Sequence, residues 1–326
     1  MRYTNLDGRS RVSSIARIIR WKAGLHGEKR PPSPMTGVPV PTVQNDGAAL
    51  RRAERDALTR IGHATFLVQL GGRSALIDPV MSPRIAGIIP RNVAPGLAWP
   101  ALPKIELVLV THNHRDHMDA ATLRRLGPDA VYVVPQGLGS WFLRAGLRRV
   151  VEMAWWQREE IDGLAVTFVP SEHWSRRGLL DVNATWWGGY VIERGGLRVY
   201  HSGDTAWFDG FRLIRERCGA IDAAMLPIGA YAPRWFMQRQ HMDPADALRA
   251  FRALGATRFV AMHWGTFKLT DEDLREPPAL LQQLWQLERL PEDRLAIPAV
   301  GETLDLESPG QGMPPAQAFS VQSNSA

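Results

Sequence analysis

Residues 111–127, THNHRDHMDAATLRRLG, constrain the fold more than any other segment, because they place three histidines and an aspartate within six positions. These donors are His112, His114, Asp116 and His117. Histidine titrates near neutral pH, so three adjacent imidazoles repel one another when protonated unless something favours their neutral forms. A bound metal ion favours the neutral forms, and the segment therefore predicts a metal site.

The residues on either side of this motif predict a strand before it and a helix after it. The run IELVLV at residues 105–110 is apolar apart from Glu106 and has the length of a strand, so we expect a buried strand that delivers the motif at its end. Asp119 can cap a short helix through Arg125, closed by Gly127. The motif is thus expected in the turn between a strand and a helix.

This local geometry can bring the four donors together. Alternate residues of an extended segment share a face, so His112 and His114 point the same way, and the turn into the helix can place Asp116 and His117 beside them. Cys218 is the only cysteine, which excludes a disulfide within the chain and a thiolate zinc site. Nitrogen and carboxylate donors predict zinc, with iron or manganese as alternatives.

Four donors seldom satisfy two ions, and three later residues are suitable additional ligands. Each follows a predicted strand: His173 in FVPSEHW, Asp204 in YHSGDT and His263 in AMHWGTF. If these strand ends meet at one rim, the seven residues form a site for two ions, with Asp204 bridging them.

The chain as a whole is expected to be an α/β protein with three parts. Residues 1–56 form an N-terminal extension with an amphipathic segment and a proline-rich connector, residues 57–306 the main domain, and residues 307–326 a disordered tail. Within the main domain, hairpins mixed with strand and helix alternation indicate sheets covered by helices, and a last strand is expected near residues 295–305.

The start of the chain lacks the continuous apolar run of a signal peptide, and no later segment is apolar enough to span a bilayer. We therefore expect a cytoplasmic protein that could also associate with a membrane. Five apolar residues approximate one helical face, which could dock on the protein or lie on a membrane. They are Val12, Ile15, Ile18, Ile19 and Trp21.

The charge of the chain indicates which partners to expect. The formal net charge is +6, but the basic residues are scattered, which argues against nucleic acid as a partner and favours a mild attraction to phosphates or acidic lipid. The sequence makes no prediction of oligomeric state.

The sequence also resembles the metallo-β-lactamase superfamily. The segments that carry this resemblance are HNHRDH, followed by SEHW, SGDT and MHWG. Within this superfamily, residues 57–306 are most similar to the N-acylphosphatidylethanolamine-hydrolysing phospholipase D family. The segments that carry this similarity are IGHAT at 61–65, LIDPV at 76–80, AWWQ at 154–157, PSEHW at 170–174, GDT at 203–205, PIGAYAPRWFMQRQHMDP at 227–244 and HWGTF at 263–267.

The resemblance implies a four-layer αββα sandwich with a two-metal site at one edge. It also implies a division of the ligands, with Asp204 shared between two sets of three: His112, His114 and His173; Asp116, His117 and His263. Asp78 would orient a ligand histidine, and His241 would lie near the phosphate of the substrate. His63 and His201 are expected to be structural.

The expected function is hydrolysis of an N-acylated glycerophospholipid to phosphatidic acid and an N-acylethanolamine. Two ions would activate water, Asp116 could accept a proton, and His241 would stabilise the developing anion. Two alternatives stay open: a hydrolase of the same fold acting on a soluble phosphodiester or lactone, and a non-catalytic basic protein with a structural metal.

Two further features of the sequence bear on the substrate. Trp235-Phe236-Met237 lies in a segment predicted to be an exposed loop, which favours contact with lipid. Arg115, inside the motif, could contact an anionic substrate, although a solvated or paired surface position is the more ordinary role of such an arginine.

Overall fold

The structure of the protein is a computed structural model that describes residues 2–28, 30–52 and 54–306. Its main elements are two seven-stranded sheets. The strands of the first sheet are β1 Ala57–Gly62, β2 Thr65–Leu70, β3 Arg73–Ile77, β6 Leu107–Leu109, β7 Val131–Pro135, β8 Val150–Met153 and β16 Thr303–Asp305. Those of the second sheet are β9 Arg158–Ile161, β10 Leu164–Pro170, β11 Gly188–Arg194, β12 Leu197–His201, β13 Ala223–Pro227, β14 Arg258–Met262 and β15 Leu295–Ala296. A separate short hairpin consists of β4 Arg84–Ile85 and β5 Ile89–Pro90.

Each large sheet has an antiparallel half and a parallel half. The first sheet has the order β16-β1-β2-β3-β6-β7-β8, antiparallel as far as β3 and parallel from β3 to β8. The second has the order β15-β14-β13-β12-β11-β10-β9, antiparallel from β9 to β12 and parallel from β12 to β15. Short connections make most of the antiparallel pairs, with β1–β16 and β10–β11 as exceptions, whereas helical crossovers make most of the parallel ones.

The main core lies between the two sheets, and alternation along the strands explains it. In β6, Leu107 and Leu109 point into the core between the sheets, whereas Val108 points to the opposite face. Met225 of β13 likewise faces the central core, and its neighbour Leu226 faces the helices. Strands buried on both faces must be apolar at every position, which is why these runs lack polar residues.

Helices cover the outer faces of both sheets. The helices are α1 Ile15–Lys22, α2 Ala48–Arg52, α3 Ala120–Leu126, α4 Gly139–Arg144, α5 Gly210–Cys218, α6 Arg234–Met237, α7 Pro244–Leu254 and α8 Glu276–Leu287, with 3₁₀ turns at Trp99–Ala101 and Glu292–Arg294. Helices α3 and α4 pack on the first sheet, and α5, α7 and α8 pack on the second. The predicted αββα sandwich is therefore confirmed.

The helix after the motif agrees closely with its predicted boundaries. The Asp119 side chain accepts hydrogen bonds from the backbone N–H groups of Ala121 and Thr122 and so caps α3. Gly127 ends the helix with a positive φ of 79°, a conformation that costs glycine little.

The single last strand predicted near residues 295–305 is wrong. The segment forms two short strands, β15 and β16, that belong to different sheets and lie at their edges. Between them, Val300 pairs with Thr42 of the proline-rich segment, and Asn45 donates to the carbonyl of Gly301 at 2.9 Å. The chain thus changes sheets within ten residues, which the apolar pattern does not reveal.

The N-terminal segment packs against the main domain. The Trp21 indole Nε1 donates to Asp271 at 2.8 Å, and its ring lies 4.8 Å from that of Phe236. Arg17 donates to the carbonyl of Trp235 at 2.7 Å. The described residues contain no helix that combines the length and the apolar character needed to cross a bilayer. The predicted tail at residues 307–326 lies outside the described residues.

Candidate metal centre

The candidate site lies where several chain segments leave the strands. The motif follows β6, His173 follows β10, Asp204 follows β12 and His263 follows β14. All seven predicted ligand side chains meet there. The donors form two groups in which the potential ligand atoms lie within 4.8 Å of one another: His112, His114, His173 and Asp204; His63, Asp116, His117 and His263.

The Asp204 carboxylate reaches both groups. Its Oδ2 lies 3.1 Å from His117 Nε2 and 3.8 Å from His173 Nε2, and its Oδ1 lies 3.1 Å from His263 Nε2. Asp204 is only 3% exposed. A carboxylate buried between two sets of imidazoles has the position that a shared ligand requires.

The hydrogen bonds of the outer ring nitrogens fix which nitrogen faces the site. His173 Nδ1 donates to the carbonyl of Gln240 at 2.8 Å, and His117 Nδ1 donates to Asp78 at 2.7 Å. His112 Nδ1 donates to the Thr111 hydroxyl at 3.0 Å, because that hydroxyl gives its own proton to Asp78. The Nε2 lone pair of each ring is therefore directed to the site, as metal-bound histidines require.

This arrangement fits a cation. The Nε2 atoms of His112 and His173, each with a lone pair, lie 3.9 and 3.8 Å from Asp204 Oδ2, which is also an acceptor. The same two Nε2 atoms lie 2.9 and 3.2 Å from His114 Nδ1. Tetrahedral nitrogen ligands about 2.0–2.1 Å from a zinc ion lie about 3.3 Å apart. Converging buried acceptors at this spacing need a positive charge between them.

Burial and neighbouring charges act on the histidines in opposite directions. Burial lowers the pKa of His114 to about 3 and that of His173 to about 4, which keeps both rings neutral and able to bind metal. Burial acts to lower the pKa of His263 as well. The Asp204 charge and hydrogen bonds with Asp116 and Asp204 outweigh burial there, so that the pKa of His263 is raised to about 9.

The pKa values of the two site carboxylates lie well below their usual range. Burial acts to raise the pKa of Asp116, but the His117 charge and hydrogen bonds with His263 and His63 outweigh it. Burial likewise acts to raise the pKa of Asp204, but the charges of His117 and His263 and hydrogen bonds with both outweigh burial and lower it. Both carboxylates are therefore ionised and available as ligands at neutral pH.

Asp78 orients one histidine from each group. Its carboxylate accepts from His117 Nδ1 and from the Thr111 hydroxyl, both at 2.7 Å, and Thr111 in turn accepts from His112. The expected contact of Asp78 with a motif histidine is present. The second connection, through Thr111 to His112, has no signal in the sequence, because it depends on how β3 and β6 pair.

His63, which was expected to be structural, lies inside the site. Its Nε2 is 3.2 Å from Asp116 Oδ2, and its ring centroid is 3.8 Å from that of His263. The segment IGHAT that contains it belongs to the resemblance, and its position directly after a strand is the signal that could have indicated this. His201, by contrast, has a structural contact, since it donates to the carbonyl of Ala64 at 2.9 Å.

His241 lies at the rim of the cluster. Its Nδ1 is 4.0 Å from Asp204 Oδ2, and its ring centroid is 5.1 Å from that of His173. Its backbone is fixed by a hydrogen bond, in which Arg234 donates to the His241 carbonyl at 3.0 Å. Its imidazole lines the open cavity beside the donor groups.

That cavity, of about 700 Å³, opens above the donor groups. Its lining combines apolar and cationic side chains with four side chains of the site, His114, Asp116, Asp204 and His241. The apolar lining residues include Val12, Ile18, Trp21, Phe236, Met237 and Leu269, and the cationic ones are Arg115, Arg176 and Arg177. Arg115 is exposed and donates to the carbonyl of Arg177 at 3.2 Å.

The prediction that Trp235-Phe236-Met237 is an exposed loop is wrong. The three residues belong to α6, and the side chains of Phe236 and Met237 are buried. Helix α1 covers the segment, with the Arg17 guanidinium 5.1 Å from the centroid of Trp235. The reason is a contact between parts of the chain more than 200 residues apart, which local polarity does not indicate.

The amino-acid sequence of the chain is similar to those of several known proteins. Residues 73–264 match the β-lactamase superfamily domain. The chain is 35% identical to an N-acyl-phosphatidylethanolamine-hydrolysing phospholipase D from Caenorhabditis elegans, over 69% of this chain and 68% of that protein. A mitochondrial enzyme of the same name from Saccharomyces cerevisiae is 34% identical over 62% of this chain, but the match spans only 45% of the yeast protein.

A solved structure supports the same relationship. A metallo hydrolase from the hyperthermophilic archaeon Ignicoccus hospitalis is 27% identical in sequence, with a TM-score of 0.59. The similarity covers 77% of this chain and 98% of the archaeal one.

Proposed function

The chain belongs to the metallo-β-lactamase superfamily and is a metal-dependent hydrolase, and we propose that it is a two-metal phosphodiesterase of the phospholipase D type. Its substrates would be lipids of the N-acylphosphatidylethanolamine kind, and its products phosphatidic acid and an N-acylethanolamine. The observation that carries this proposal is a cavity lined by apolar side chains, by arginines and by four side chains of the site, His114, Asp116, Asp204 and His241.

Seven residues would hold the two ions. His112, His114 and His173 would bind one ion and Asp116, His117 and His263 the other, with Asp204 shared. Zinc suits this nitrogen and carboxylate set best, and iron or manganese would also be accepted. Such a pair of ions supplies a water activated near neutral pH and positive charge opposite the phosphoryl oxygens.

The chain's own residues would do the rest of the chemistry. Asp116, ionised and 16% exposed at its side chain, faces the cavity and can take the proton of the attacking water. The water oxygen bonds to phosphorus while the bond from phosphorus to the ethanolamine oxygen breaks, and the N-acylethanolamine leaves with a proton. His241 can donate a hydrogen bond to the phosphoryl oxygen as its charge increases.

The mixed lining of the cavity suits the two parts of such a lipid. Trp21, Phe236 and Met237 are apolar, as the lining of a site for an acyl chain should be. Arg115 and Arg176 in the same lining carry the charge that attracts a phosphate. A phosphodiester with a hydrocarbon tail is the class of molecule that can use both kinds of side chain at once.

An alternative substrate class is a soluble phosphodiester or a lactone. The exposed Arg115 in the cavity lining favours it, because a small anionic diester could bind this arginine without contacting the apolar side chains. The metal centre would be the same, so only the substrate separates the two proposals.

The test compares substrates with and without metal. The purified full chain is incubated with N-acylphosphatidylethanolamine in mixed micelles and, separately, with bis-p-nitrophenyl phosphate. We expect release of N-acylethanolamine that stops after treatment with a chelator and returns on addition of zinc. Turnover of the soluble diester alone would favour the alternative, and no turnover of either would contradict hydrolysis of phosphodiesters.

We also propose that the mouth of the cavity touches a membrane. The predicted apolar face of α1 is divided in the structure: Ile18 and Trp21 line the cavity, whereas Ile15 and Ile19 are 76% and 59% exposed. Leu180, beside the cavity-lining Leu179, is 89% exposed. Exposed apolar side chains beside arginines are typical of a surface that contacts acidic lipid.

Replacing Ile15 and Ile19 together by glutamate is expected to weaken binding to vesicles that contain phosphatidylglycerol by at least about tenfold, because each side chain loses its burial in lipid. Sedimentation with the vesicles measures this. Leu287→Glu is the matched control, since Leu287 is 77% exposed at the end of α8. Equal binding of both variants and the parent protein would contradict membrane contact through α1.

A further inference from the structure

We propose that Asn5 is a positioning residue for His173, so that the N-terminal arm, residues 3–11, is part of the candidate metal centre. The inference rests on the proposed role of His173 as a metal ligand. It concerns a segment that the sequence assigned to an extension outside the main domain.

The Asn5 side chain holds both polar groups of the His173 backbone. Its Nδ2 donates to the carbonyl of His173 at 3.0 Å, and its Oδ1 accepts from the N–H of His173 at 3.0 Å. The same Oδ1 accepts from Trp187 Nε1 at 3.1 Å, and Nδ2 also donates to the carbonyl of Arg9. Asn5 is 3% exposed and lies 168 positions before His173.

The backbone of His173 has no sheet to fix it. Strand β10 ends at Pro170, and the next isolated bridge, between Glu172 and Ala206, stops one residue short of His173. The orientation of the His173 ring therefore depends on Asn5 at the backbone and on the carbonyl of Gln240, which accepts from Nδ1. Removing Asn5 leaves two buried backbone groups without a partner.

A second contact of the arm reaches the adjacent residue. The Arg11 guanidinium forms an ion pair with Glu172, whose side chain is largely buried. The backbone of Glu172 joins the loop that carries Asp204: its N–H donates to the Thr205 hydroxyl and its carbonyl accepts from Ala206, each at 2.9 Å. The arm thus supports two of the three loops that supply ligands to the first donor group, those of His173 and Asp204.

The arm is itself fixed at several points, which makes it a firm support. The Tyr3 ring stacks on Trp186 with 4.3 Å between ring centroids, and the Tyr3 N–H donates to the carbonyl of Asn183 at 2.8 Å. Further along, Ser10 accepts from the Asn183 side chain at 3.1 Å. Beyond the arm, the chain continues into α1, whose Trp21 lines the cavity.

The test measures metal affinity rather than activity. The full chain and its Asn5→Ala variant are titrated with zinc in competition with a chromophoric chelator, which reports the number of ions bound and the affinity for each. We expect the variant to bind one of its two ions about 10–100-fold more weakly, the usual cost of losing a group that orients a ligand, and the other with unchanged affinity.

Asn45→Ala is the matched control. The Asn45 side chain also bridges backbone groups, since it donates to the carbonyl of Gly301 at 2.9 Å and accepts from the N–H of Gly47 at 3.0 Å, but it lies away from the ligand loops. We expect a loss of melting temperature similar to that of Asn5→Ala, with both zinc affinities as in the parent protein. Asn5→Asp, which places a carboxylate oxygen against the carbonyls of His173 and Arg9, should weaken binding of the same ion at least as much.

Each outcome distinguishes this inference from the proposed function. If the parent protein binds two ions and Asn5→Ala binds both with the same affinity, the positioning role is overturned and the metal centre stands. If the parent protein binds no zinc, the proposed function fails and this inference fails with it. Equal weakening of both ions in Asn5→Ala and Asn45→Ala would indicate a general loss of stability and also overturn the positioning role. If Asn5→Ala does not fold, Asn5→Asp carries the test.

Discussion

Asp204→Asn is expected to abolish hydrolysis and to lower the affinity for at least one metal ion by more than about 100-fold. The loss should exceed the roughly 10–100-fold cost of removing a group that only orients a ligand, because Asp204 would contact both ions. Its two oxygens lie 3.1 Å from His117 Nε2 and from His263 Nε2. Metal content and turnover, measured on the same preparation, test this.

The control for this variant is Asp222→Asn. Asp222 is half-buried and accepts from the backbone N–H of Arg198 at 2.7 Å, at the start of β12 rather than at the end that carries the donors. It tests whether the loss of any partly buried carboxylate lowers activity. Full metal content and wild-type turnover in Asp204→Asn would contradict the shared ligand.

His241→Ala is expected to lower kcat by about 10²–10³-fold while both ions stay bound, because it removes a hydrogen-bond donor to the transition state without removing a ligand. The geometry supports this separation, since His241 Nδ1 is 4.0 Å from Asp204 and the ring lines the cavity. Single-turnover rates on the lipid substrate measure the effect on the chemical step. The metal content of the variant shows independently whether both ions stay bound.

His26→Ala controls for the loss of an imidazole elsewhere in the chain. The His26 ring lies 5.6 Å from that of Trp235, outside the donor groups, and its removal should leave kcat unchanged. A kcat for His241→Ala equal to that of the parent enzyme would remove His241 from the mechanism. Loss of metal in that variant would instead assign it a ligand role.

The elements that depend on local sequence could be predicted. The strand predicted at residues 105–110 is present but shorter, at Leu107–Leu109, where every position is apolar, and Asp119 and Gly127 mark the ends of α3 through capping chemistry that acts over a few residues. The order of the donors along the chain could be read in the same way, because each follows a strand. Parallel strands then bring their ends to one edge, which the fold confirms.

The features that the sequence did not indicate all depend on contacts between distant segments. Phe236 and Met237 are buried because α1 covers them, and β15 and β16 separate because each pairs with the edge of a different sheet. His63 enters the site because the turn after β1 lies beside His263. Hydrophobic pattern and turn chemistry act locally and carry no information about such neighbours.

The proposed function requires two cations between the seven donors, and diffraction from crystals of the zinc-loaded protein, recorded at the zinc absorption edge, is the most direct test for them. We predict two anomalous peaks per chain about 3.5–4 Å apart. One should contact His112, His114 and His173, the other Asp116, His117 and His263, and both should contact Asp204. A single peak, no peak, or ions bound away from these residues would contradict a two-metal centre.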